Sequence, residues 1–310
     1  MRRIYPLMGP AAEPVDGLMN PSRNEISDRK TAAWRQHERR WKGNRYVYAV
    51  VSRRSRGISI GINLNPDKAC NFDCIYCQVD RNLAAAVRAV DLEKLAEELE
   101  RTLRAERDGS LYKDAPFNGL LPAERGVRDL AFSGDGEPTA YPDFEAAVRI
   151  AARARHRFGL RSAKLILITN AAYLGRPAVA DALAMMDENN GEIWAKLDAG
   201  SETYFRAVNR PNVSFDCVLD NILHAARIRP LVIQSLWLRV HGSAPDAGEI
   251  EAYCRRLNSL ISAGGRLKAV QLYTIARNPA ESYASALSRE ELDTIASAVK
   301  ARVPVPVEIF

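Results

Sequence analysis

The sequence lacks any long apolar run. No stretch of about 18 apolar residues, the length needed to cross a bilayer, occurs in the 310 residues, and the longest apolar stretch, 231–240, is interrupted by Gln234 and Arg239. The first residues carry two arginines, but the prolines, glycines and acids that follow exclude the apolar segment of a signal peptide. We therefore expect a soluble, cytoplasmic protein without a membrane partner.

Cysteine and histidine are also scarce, with five and four residues respectively. So few cysteines in a chain without a secretory signal argue against a disulfide framework and for a reducing compartment. Cys217 and Cys254 stand alone on predicted helices, and we expect them to be surface or core thiols. The other three cysteines fall within eight residues, which is improbable as core filling.

Cys70, Cys74 and Cys77 form a Cys-x₃-Cys-x₂-Cys triplet that can converge on one metal centre. An iron–sulfur cubane suits this spacing, because three cysteines would ligate three of its irons and leave the fourth open to a small molecule. A structural zinc site would need a fourth Cys or His at close spacing, and the nearest histidines, His37 and His156, are distant in sequence. The triplet therefore favours a [4Fe–4S] cluster with a catalytic role.

Strand and helix patterns alternate along most of the chain. The predicted strands are 57–64, 127–132, 164–169, 192–197, 231–240 and 267–274, and the predicted helices are 91–107, 142–157, 177–186, 215–228, 247–262 and 289–301. Six strands that are each followed by a helix imply a parallel sheet with right-handed crossovers. The expected fold is α/β, a partial (β/α)₆ barrel with a parallel sheet over residues 57–310.

Residues 1–56 form a basic, Pro- and Gly-rich N-terminal extension. Residues 1–30 are expected to be extended, 31–42 to form a short helix and 46–51 a short strand. A final strand is expected in the tail 303–310. The loop 108–126 is long and rich in Gly and Pro, and we interpret it as a lid.

In parallel α/β folds, ligands bind at the carboxyl ends of the strands. The cysteine loop follows the first predicted strand, and a Gly-rich loop follows the second. That loop consists of Ser133, Gly134, Asp135, Gly136, Glu137 and Pro138. Glycines let the backbone approach a ligand closely, and a carboxylate can accept hydrogen bonds from an ammonium group. Asn170 and Asp198 end the next two strands, Arg239 lies near the end of the fifth, and Arg277 follows the sixth.

The triplet, with the aromatic Tyr76 before its last cysteine, resembles the radical S-adenosylmethionine (SAM) superfamily. The resemblance covers about residues 57–301. It implies a [4Fe–4S] cluster whose open iron is chelated by the amino and carboxylate groups of SAM. It also implies reductive cleavage of SAM to a 5′-deoxyadenosyl radical that abstracts hydrogen from a substrate, and a reducing partner such as flavodoxin or ferredoxin. Tyr76 would shield the cluster and let the local backbone contact adenine.

The resemblance also suggests roles for the strand-end residues. The loop 133–138 is similar to the Gly-Gly-Glu-type motif that binds the SAM amino group. Asn170 and Asp198 would bind ribose hydroxyls or the SAM carboxylate network, with turn formation as the alternative. Arg239 would pair with the SAM carboxylate through its fork geometry, or form a salt bridge with a neighbouring strand-end acid. Arg277 would face an anionic group of the substrate.

Three further stretches look like a bacterial and archaeal radical SAM subgroup described as wyosine-synthase-like. They are residues 46–56, residues 202–211 with Arg206 and Arg210, and residues 273–279. True wyosine synthases carry a second cluster on additional N-terminal cysteines, whereas no cysteine precedes Cys70 in this sequence. We therefore expect a single cluster.

The net charge of +6 permits an anionic partner. Basic residues concentrate in the stretch 35–56, where Trp34, Trp41, Tyr46 and Tyr48 are interleaved. Such a segment can follow a phosphate backbone and stack on bases, or it can pack its aromatics on the main domain while its arginines stay in water. We favour the packed arm, since no nucleic-acid module signature accompanies the segment.

Together these patterns predict a single-cluster radical SAM enzyme, either an oxidoreductase or a transferase. A small molecule or a peptide is the favoured substrate, and a tRNA base is the alternative within the class. The alternative from another class is a non-enzymatic Fe–S or zinc protein that binds RNA, in which the cysteine loop shapes a surface.

Overall fold

A computed structural model of the chain describes residues 41–81, 85 and 87–310. Its strands are β1 (Val47–Ser52), β2 (Gly57–Ile62), β3 (Val127–Phe132), β4 (Lys164–Thr169), β5 (Gly191–Lys196), β6 (Leu231–Leu236), β7 (Leu238–Val240), β8 (Leu267–Tyr273), β9 (Ala284–Ala286) and β10 (Val307–Ile309). Eight of them form one sheet in the order β1-β2-β3-β4-β5-β6-β8-β10, and β7 pairs with β9. All neighbours in the large sheet are parallel except β1, which is antiparallel to β2 at one edge.

The helices of the described residues follow the strands. They are α1 (Leu92–Arg107), α2 (Phe144–Arg157), α3 (Pro177–Glu188), α4 (Glu202–Asn209), α5 (Phe215–Ile228), α6 (Ala247–Ser262) and α7 (Arg289–Arg302). Helix α1 begins as its sequence predicts, because the Asp91 side chain accepts a hydrogen bond from the backbone N–H of Lys94. The predicted α/β class and its six β/α units are confirmed. None of these helices is long and apolar enough to span a bilayer.

The two faces of the sheet have different partners. Successive side chains of a strand point to opposite faces. Leu165 and Ile193 belong to the main hydrophobic core with the helices, whereas their chain neighbours Ile166 and Trp194 form a separate small cluster and line a cavity. The helices therefore cover one face of the sheet, and the other face encloses a cavity, as in a partial barrel.

The hairpin of β1 and β2 joins the basic segment to the sheet. The two strands pair from Val47 opposite Ile62 to Ser52 opposite Gly57. The boundary at residue 56 that the sequence suggested therefore falls inside the turn of this hairpin, and residues 47–52 are part of the main sheet. The expected strand at 46–51 and the expected last strand in 303–310 are both present.

The described part of the basic segment packs as an arm. Trp41, Tyr46 and Tyr48 are buried. The buried Glu98 carboxylate of α1 accepts hydrogen bonds from the backbone N–H groups of Arg45 and Tyr46 at 2.8–3.0 Å. Most of the helix expected in 31–42 lies outside the described part of the chain. The same holds for four basic or aromatic residues of this segment: Trp34, Arg35, Arg39 and Arg40.

The predicted strand 231–240 is divided. It forms β6 up to Leu236 and leaves the large sheet at Trp237. The side chain of Trp237 is fully buried, and its backbone N–H donates to the carbonyl of Tyr273 at 2.9 Å. Strand β7 leaves the large sheet and pairs with β9. Helix α4 was not expected from the sequence, and it becomes important at the site.

Residues 108–126 do not form a lid. The segment contains three short 3₁₀ turns, Ser110–Lys113, Phe117–Gly119 and Pro122–Glu124, and buries Leu111 and Phe117 in the core. It leads into the amino end of β3, so it lies at the edge of the sheet opposite the strand ends that carry the polar loops. The expectation of a lid is wrong.

Candidate active site

The carboxyl ends of the parallel strands and the concave face of the sheet border one cavity of about 370 Å³. This volume lies in the range of small-molecule sites, about 300–1,000 Å³. The predicted site residues that line it are Cys70, Cys74, Tyr76, Cys77, Ser133, Gly134, Asp135, Gly136, Glu137, Asn170 and Arg277. Pro138, Asp198 and Arg239 are not among the lining residues.

Cys70, Cys74 and Cys77 are free thiols, each half-buried in the wall of the cavity. The backbone N–H of Cys77 donates to the carbonyl of Cys74 at 2.9 Å, so a tight turn joins the last two cysteines. Burial raises the pKa of Cys70, and it raises the pKa of Cys74 to about 12. The thiols of Cys70 and Cys74 therefore hold their protons at neutral pH, and metal binding would release these protons.

The donor set fits a [4Fe–4S] cluster. Among residues 41–81, 85 and 87–310, no three His, Cys, Asp or Glu side chains are arranged to hold a single metal ion. A cubane binds separate thiolates at separate corners, and three cysteines on one cavity wall supply such ligands. Two buried donors near the loop, Nδ2 of Asn71 and Nε of Arg81, have no partner in the described part of the chain, and they suit the negative charge of a thiolate-ligated cluster.

A neighbouring segment holds the cysteine loop in place by backbone hydrogen bonds. The N–H of Ile75 donates to the carbonyl of Val208 at 2.9 Å, and the N–H of Asp73 donates to the carbonyl of Arg210 at 3.3 Å. Arg210 has a left-handed backbone (φ 42°), and its guanidinium bridges Asp73 and Glu281 at 3.2 and 2.7 Å. The end of α4 therefore serves as a clamp on the loop.

Asn209, at the end of α4, is the most connected residue of this clamp. Its side-chain N–H₂ lies 3.5 Å from Sγ of Cys74, 3.1 Å from the hydroxyl of Tyr76 and 2.9 Å from Oδ2 of Asp198. Its Oδ1 is buried without a partner in the described part of the chain. Nothing in the sequence singles out Asn209, because a polar residue at the end of an unpredicted helix gives no signal.

Asp198 does not line the cavity itself but organises the residues that do. It is 2% exposed, accepts a short hydrogen bond from the hydroxyl of Tyr76, and accepts another from the backbone N–H of Leu236 at 2.8 Å. The ammonium of Lys196 lies 3.4 Å from Oδ1 of Asp198 and donates to the hydroxyl of Tyr273 at 2.9 Å. The Lys196 ammonium also lies 4.9 Å from the centre of the Tyr76 ring, so this network ties the cysteine loop to the ends of β5, β6 and β8.

Lys196 is the second residue that the sequence analysis missed. Burial opposes its charge, but Asp198 and Tyr273 outweigh burial and raise the pKa of Lys196. The side chain lines the cavity as a protonated ammonium. An alternation of inward and outward residues along β5 could have indicated it, since Trp194 and Lys196 share one face.

The two glycines of the loop 133–138 allow it to pack on the cysteine loop. A Cβ atom on Gly136 would lie 2.0 Å from the carbonyl oxygen of Ala69, and one on Gly134 would lie 2.2 Å from Oδ1 of Asn63. Both positions therefore exclude any side chain. Asn63 also donates to Oδ2 of Asp135 at 2.7 Å, which fixes the loop against the end of β2.

Glu137 holds this loop together from within. It is 2% exposed, and its Oε1 accepts hydrogen bonds from the backbone N–H of Thr139 at 3.1 Å and from the hydroxyl of Thr169 at 2.7 Å. Its Oε2 accepts from the backbone N–H of Asn170 at 2.7 Å. Burial raises the pKa of Glu137, against these hydrogen bonds, which lower it. We predicted that the Glu137 carboxylate binds the ammonium group of a ligand. In the structure it also connects β3 to β4 by hydrogen bonds. Pro138 starts the short 3₁₀ turn that follows and is buried.

Asn170 connects β4 to the cysteine loop. Its Nδ2 donates to Oδ1 of Asn71 at 2.8 Å, and its Oδ1 accepts from the N–H of Ala172 at 3.0 Å. It therefore combines the predicted position at the cavity with the turn-forming role that was its alternative.

The predicted arginines lie in different places. Arg277 follows β8 and lines the cavity. Arg239 lies on β7, where it pairs with Glu291 and donates to the carbonyl of Gly242 at 2.6 Å. Arg239 thus forms a salt bridge with an acid in the first turn of α7, and not with the strand-end acid expected as the alternative, because the chain leaves the large sheet at Trp237. Arg206 pairs with Glu202 on the exposed side of α4.

The chain is similar in sequence to several curated proteins. It is 27% identical over 251 residues to a UPF0026 protein of Helicobacter pylori, an alignment that covers 79% of this chain and 71% of that protein. It is 24% identical over 275 residues to the GTPase Obg of Brachyspira hyodysenteriae, covering 86% of this chain, and it spans about a third (35%) of that protein's length. No protein-family model matches the chain.

The fold is that of radical SAM enzymes. It is similar to a radical SAM methyltransferase from Sphaerobacter thermophilus, with a TM-score of 0.59 and 12% identity over 85% of this chain and 68% of that chain. Archaeal TYW1 is also similar, at a TM-score of 0.46 and 14% identity over 92% of this chain and 90% of that chain. At 12% identity the likeness to the methyltransferase concerns the fold, and the predicted partial barrel is confirmed.

Proposed function

We propose that this protein is a radical SAM enzyme with one [4Fe–4S] cluster on Cys70, Cys74 and Cys77. One observation carries the proposal: the three thiols, the Gly-rich loop 133–138 and the concave face of the sheet all border the same cavity. Cys70, Cys74 and Cys77 would hold the cluster, which would supply one electron, received from an external donor, for the reductive cleavage of SAM to methionine and a 5′-deoxyadenosyl radical. An external donor such as flavodoxin or ferredoxin is therefore part of the proposal.

The residues around the cavity are suited to hold SAM near the cysteines. The loop 133–138 would receive the amino group of SAM, and Asn170 would receive polar groups of its ribose or carboxylate. Tyr76, fixed by Asp198 and Asn209, would cover the cluster on the protein side. The protonated Lys196 supplies a positive charge in a buried setting, where it acts more strongly than in water.

An apolar part of the lining is suited to protect a reactive carbon radical from water. Ile166, Ile168, Trp194 and Leu236 face the cavity from β4, β5 and β6. An apolar wall excludes water and limits side reactions of unstable intermediates. A C–H bond held against this wall would be the target of hydrogen abstraction.

We propose that the substrate is a small molecule or a peptide. The volume of the cavity, about 370 Å³, supports a small ligand. The burial of Trp41, Tyr46 and Tyr48 supports the same choice, because buried rings are not available for stacking on bases. Modification of a tRNA base is the alternative.

Iron and sulfide analysis after anaerobic reconstitution tests the metal centre. We expect about four irons per chain, because one triplet supplies ligands for one cubane. SAM should then perturb the spin-resonance spectrum of the reduced cluster. About eight irons, or stoichiometric zinc after anaerobic purification, would contradict the single-cluster proposal.

Filter binding with bulk tRNA tests the substrate class. A small-molecule enzyme should show little affinity for tRNA near physiological salt. Tight binding with a strong salt dependence would favour the tRNA alternative. The slope of log binding constant against log salt concentration should then be about −0.7 or steeper for each phosphate contact.

A further inference from the structure

The turn between β1 and β2 places a cation in the cavity that the site described above does not use. Arg54 is half-buried, and its guanidinium lies 4.4 Å from the centre of the Tyr273 ring and 5.9 Å from that of the Phe310 ring. Its Nε atom is buried and has no hydrogen-bond partner among residues 41–81, 85 and 87–310. Burial lowers the pKa of Arg54, which reflects the cost of holding this charge away from water. A guanidinium in this state favours an anionic partner.

A carboxylate lines the same cavity from β3. Asp129 is 1% exposed, and its Oδ1 accepts a short hydrogen bond from the hydroxyl of Ser59. Its Oδ2 has no partner in the described part of the chain. Burial raises the pKa of Asp129 to about 6, although the nearby hydroxyls of Ser55 and Ser59 act in the opposite direction. At neutral pH the site therefore holds a carboxylate with an unused oxygen.

Arg54 and Asp129 both line the cavity. Ser55, next to Arg54 in the turn, lies close enough to Asp129 to lower its pKa, whereas no ion pair joins Arg54 to Asp129 or to another described residue. The cavity has a volume of about 370 Å³, which suits one small molecule. Nε of Arg54 and Oδ2 of Asp129 each lack a hydrogen-bond partner in the described part of the chain, and the charges of the two side chains are opposite.

We propose that Arg54 and Asp129 form a substrate subsite for a zwitterionic, amino-acid-like small molecule. The carboxylate of the ligand would accept two parallel hydrogen bonds from Nε and one terminal nitrogen of Arg54, the geometry for which guanidinium is suited. The ammonium group of the ligand would donate to Oδ2 of Asp129. The apolar wall of Ile166, Ile168 and Trp194 would contact the carbon skeleton between these ends. This inference rests on the proposed function, which makes the cavity a substrate site.

Isothermal titration of the reconstituted chain with SAM present, but without a reductant, tests the subsite. The probes are the twenty common L-amino acids, with inorganic phosphate and the deaminated acid of each binder for comparison. We expect at least one amino acid to bind at least about tenfold more tightly than its deaminated analogue and than phosphate. Arg54→Gln should weaken that binding at least about tenfold, and Arg54→Lys should restore it in part, because a charged hydrogen bond is lost or kept.

Two variants separate a binding role from a structural one. Asp129→Asn should bring the affinity ratio between the amino acid and its deaminated analogue close to one, while the affinity for the analogue stays within about threefold. Arg56→Gln is the matched control, since Arg56 lies in the same turn but is exposed and does not line the cavity. It should leave all affinities unchanged.

The outcomes also separate this inference from the proposed function. If no amino acid binds more tightly than phosphate, or if Arg54→Gln and Arg56→Gln behave alike, the subsite is wrong, whatever the chemistry at the cluster. Formation of 5′-deoxyadenosine under reducing conditions tests the proposed function independently of these affinities.

Discussion

The side-chain amide of Asn209 donates a hydrogen bond to Sγ of Cys74 across 3.5 Å, although the two residues are 135 positions apart in the chain. The same amide contacts the hydroxyl of Tyr76 and the carboxylate of Asp198. One side chain thus joins the cysteine loop to the end of β5. We infer that Asn209 positions Cys74 and stabilises negative charge on its sulfur.

Replacing Asn209 by Ala should make the reduction potential of the cluster more negative, because N–H···S hydrogen bonds stabilise the more reduced, more negative cluster. A redox titration monitored by spin resonance measures this potential. Asn212→Ala is the control, since the Asn212 side chain is exposed. Equal potentials in wild type and Asn209→Ala would contradict the inferred role.

Gly136→Ala should prevent normal packing of the Gly-rich loop on the cysteine loop. The new methyl group would lie 2.0 Å from the carbonyl oxygen of Ala69, a backbone atom that cannot move without shifting Cys70. We expect a loss of about 1–3 kcal/mol in unfolding free energy and a lower iron content after reconstitution. Gly119→Ala, where a Cβ atom meets nothing within 4 Å, should change neither quantity. A fully loaded and stable Gly136→Ala protein would show that the two loops are not in contact.

Glu137→Ala should destabilise the protein by about 2 kcal/mol or more and weaken SAM binding. The substitution leaves the buried backbone N–H groups of Thr139 and Asn170 without acceptors. Glu137→Gln should be intermediate, because its amide keeps one acceptor oxygen but presents a donor to the N–H of Asn170. Chemical denaturation and SAM titration measure the two effects. Glu188→Gln is the control, since Glu188 is exposed at the end of α3, and a Glu137→Ala protein as stable as this control would remove Glu137 from the connection between β3 and β4.

Asp129→Asn should change the dependence of stability on pH. The pKa of Asp129 is about 6 in the fold and near 3.8 when unfolded, so the folded protein binds the proton more tightly. Wild-type stability should therefore fall as pH rises from about 4 to about 6, by up to about 3 kcal/mol, and stay level above that. Lys164 and Glu192 also face Asp129, with opposite effects on its charge.

Urea denaturation at several pH values measures this effect as the difference between wild type and Asp129→Asn. The difference cancels the contributions of other titrating groups that the two proteins share. A difference that does not vary between pH 4 and 6 would mean that Asp129 titrates normally and is not held in an apolar setting.

The parts of the site that lie close together in sequence were predictable. The triplet of Cys70, Cys74 and Cys77 shows its spacing directly, and hydrophobic patterning placed the loop 133–138 after a parallel strand. Because the carboxyl ends of parallel strands meet at one edge, the two loops had to be neighbours. Arg277 was found by the same reasoning.

The parts that depend on long-range contacts were not predictable. Asn209 reaches Cys74 through a helix that sequence patterning did not reveal, and Arg54 enters the cavity from a turn that the sequence assigned to an extension. The position of Arg239 was wrongly predicted because the apolar stretch 231–240 continues past the end of β6. The buried Trp237 gives no sign in the sequence that the strand ends there. Pairing partners and chain direction after a strand are set by tertiary packing, which local patterns do not encode.

Formation of 5′-deoxyadenosine tests the central claim most directly. The reconstituted chain would be incubated anaerobically with SAM and dithionite, and the products would be separated by liquid chromatography. Cys74→Ala and Cys217→Ser would be treated in the same way. Cys217→Ser is the control, since the Cys217 thiol is exposed and does not line the cavity. The account predicts 5′-deoxyadenosine and methionine from wild type and Cys217→Ser, and none from Cys74→Ala. A loaded wild-type protein that forms no 5′-deoxyadenosine, or formation that survives Cys74→Ala, would contradict it.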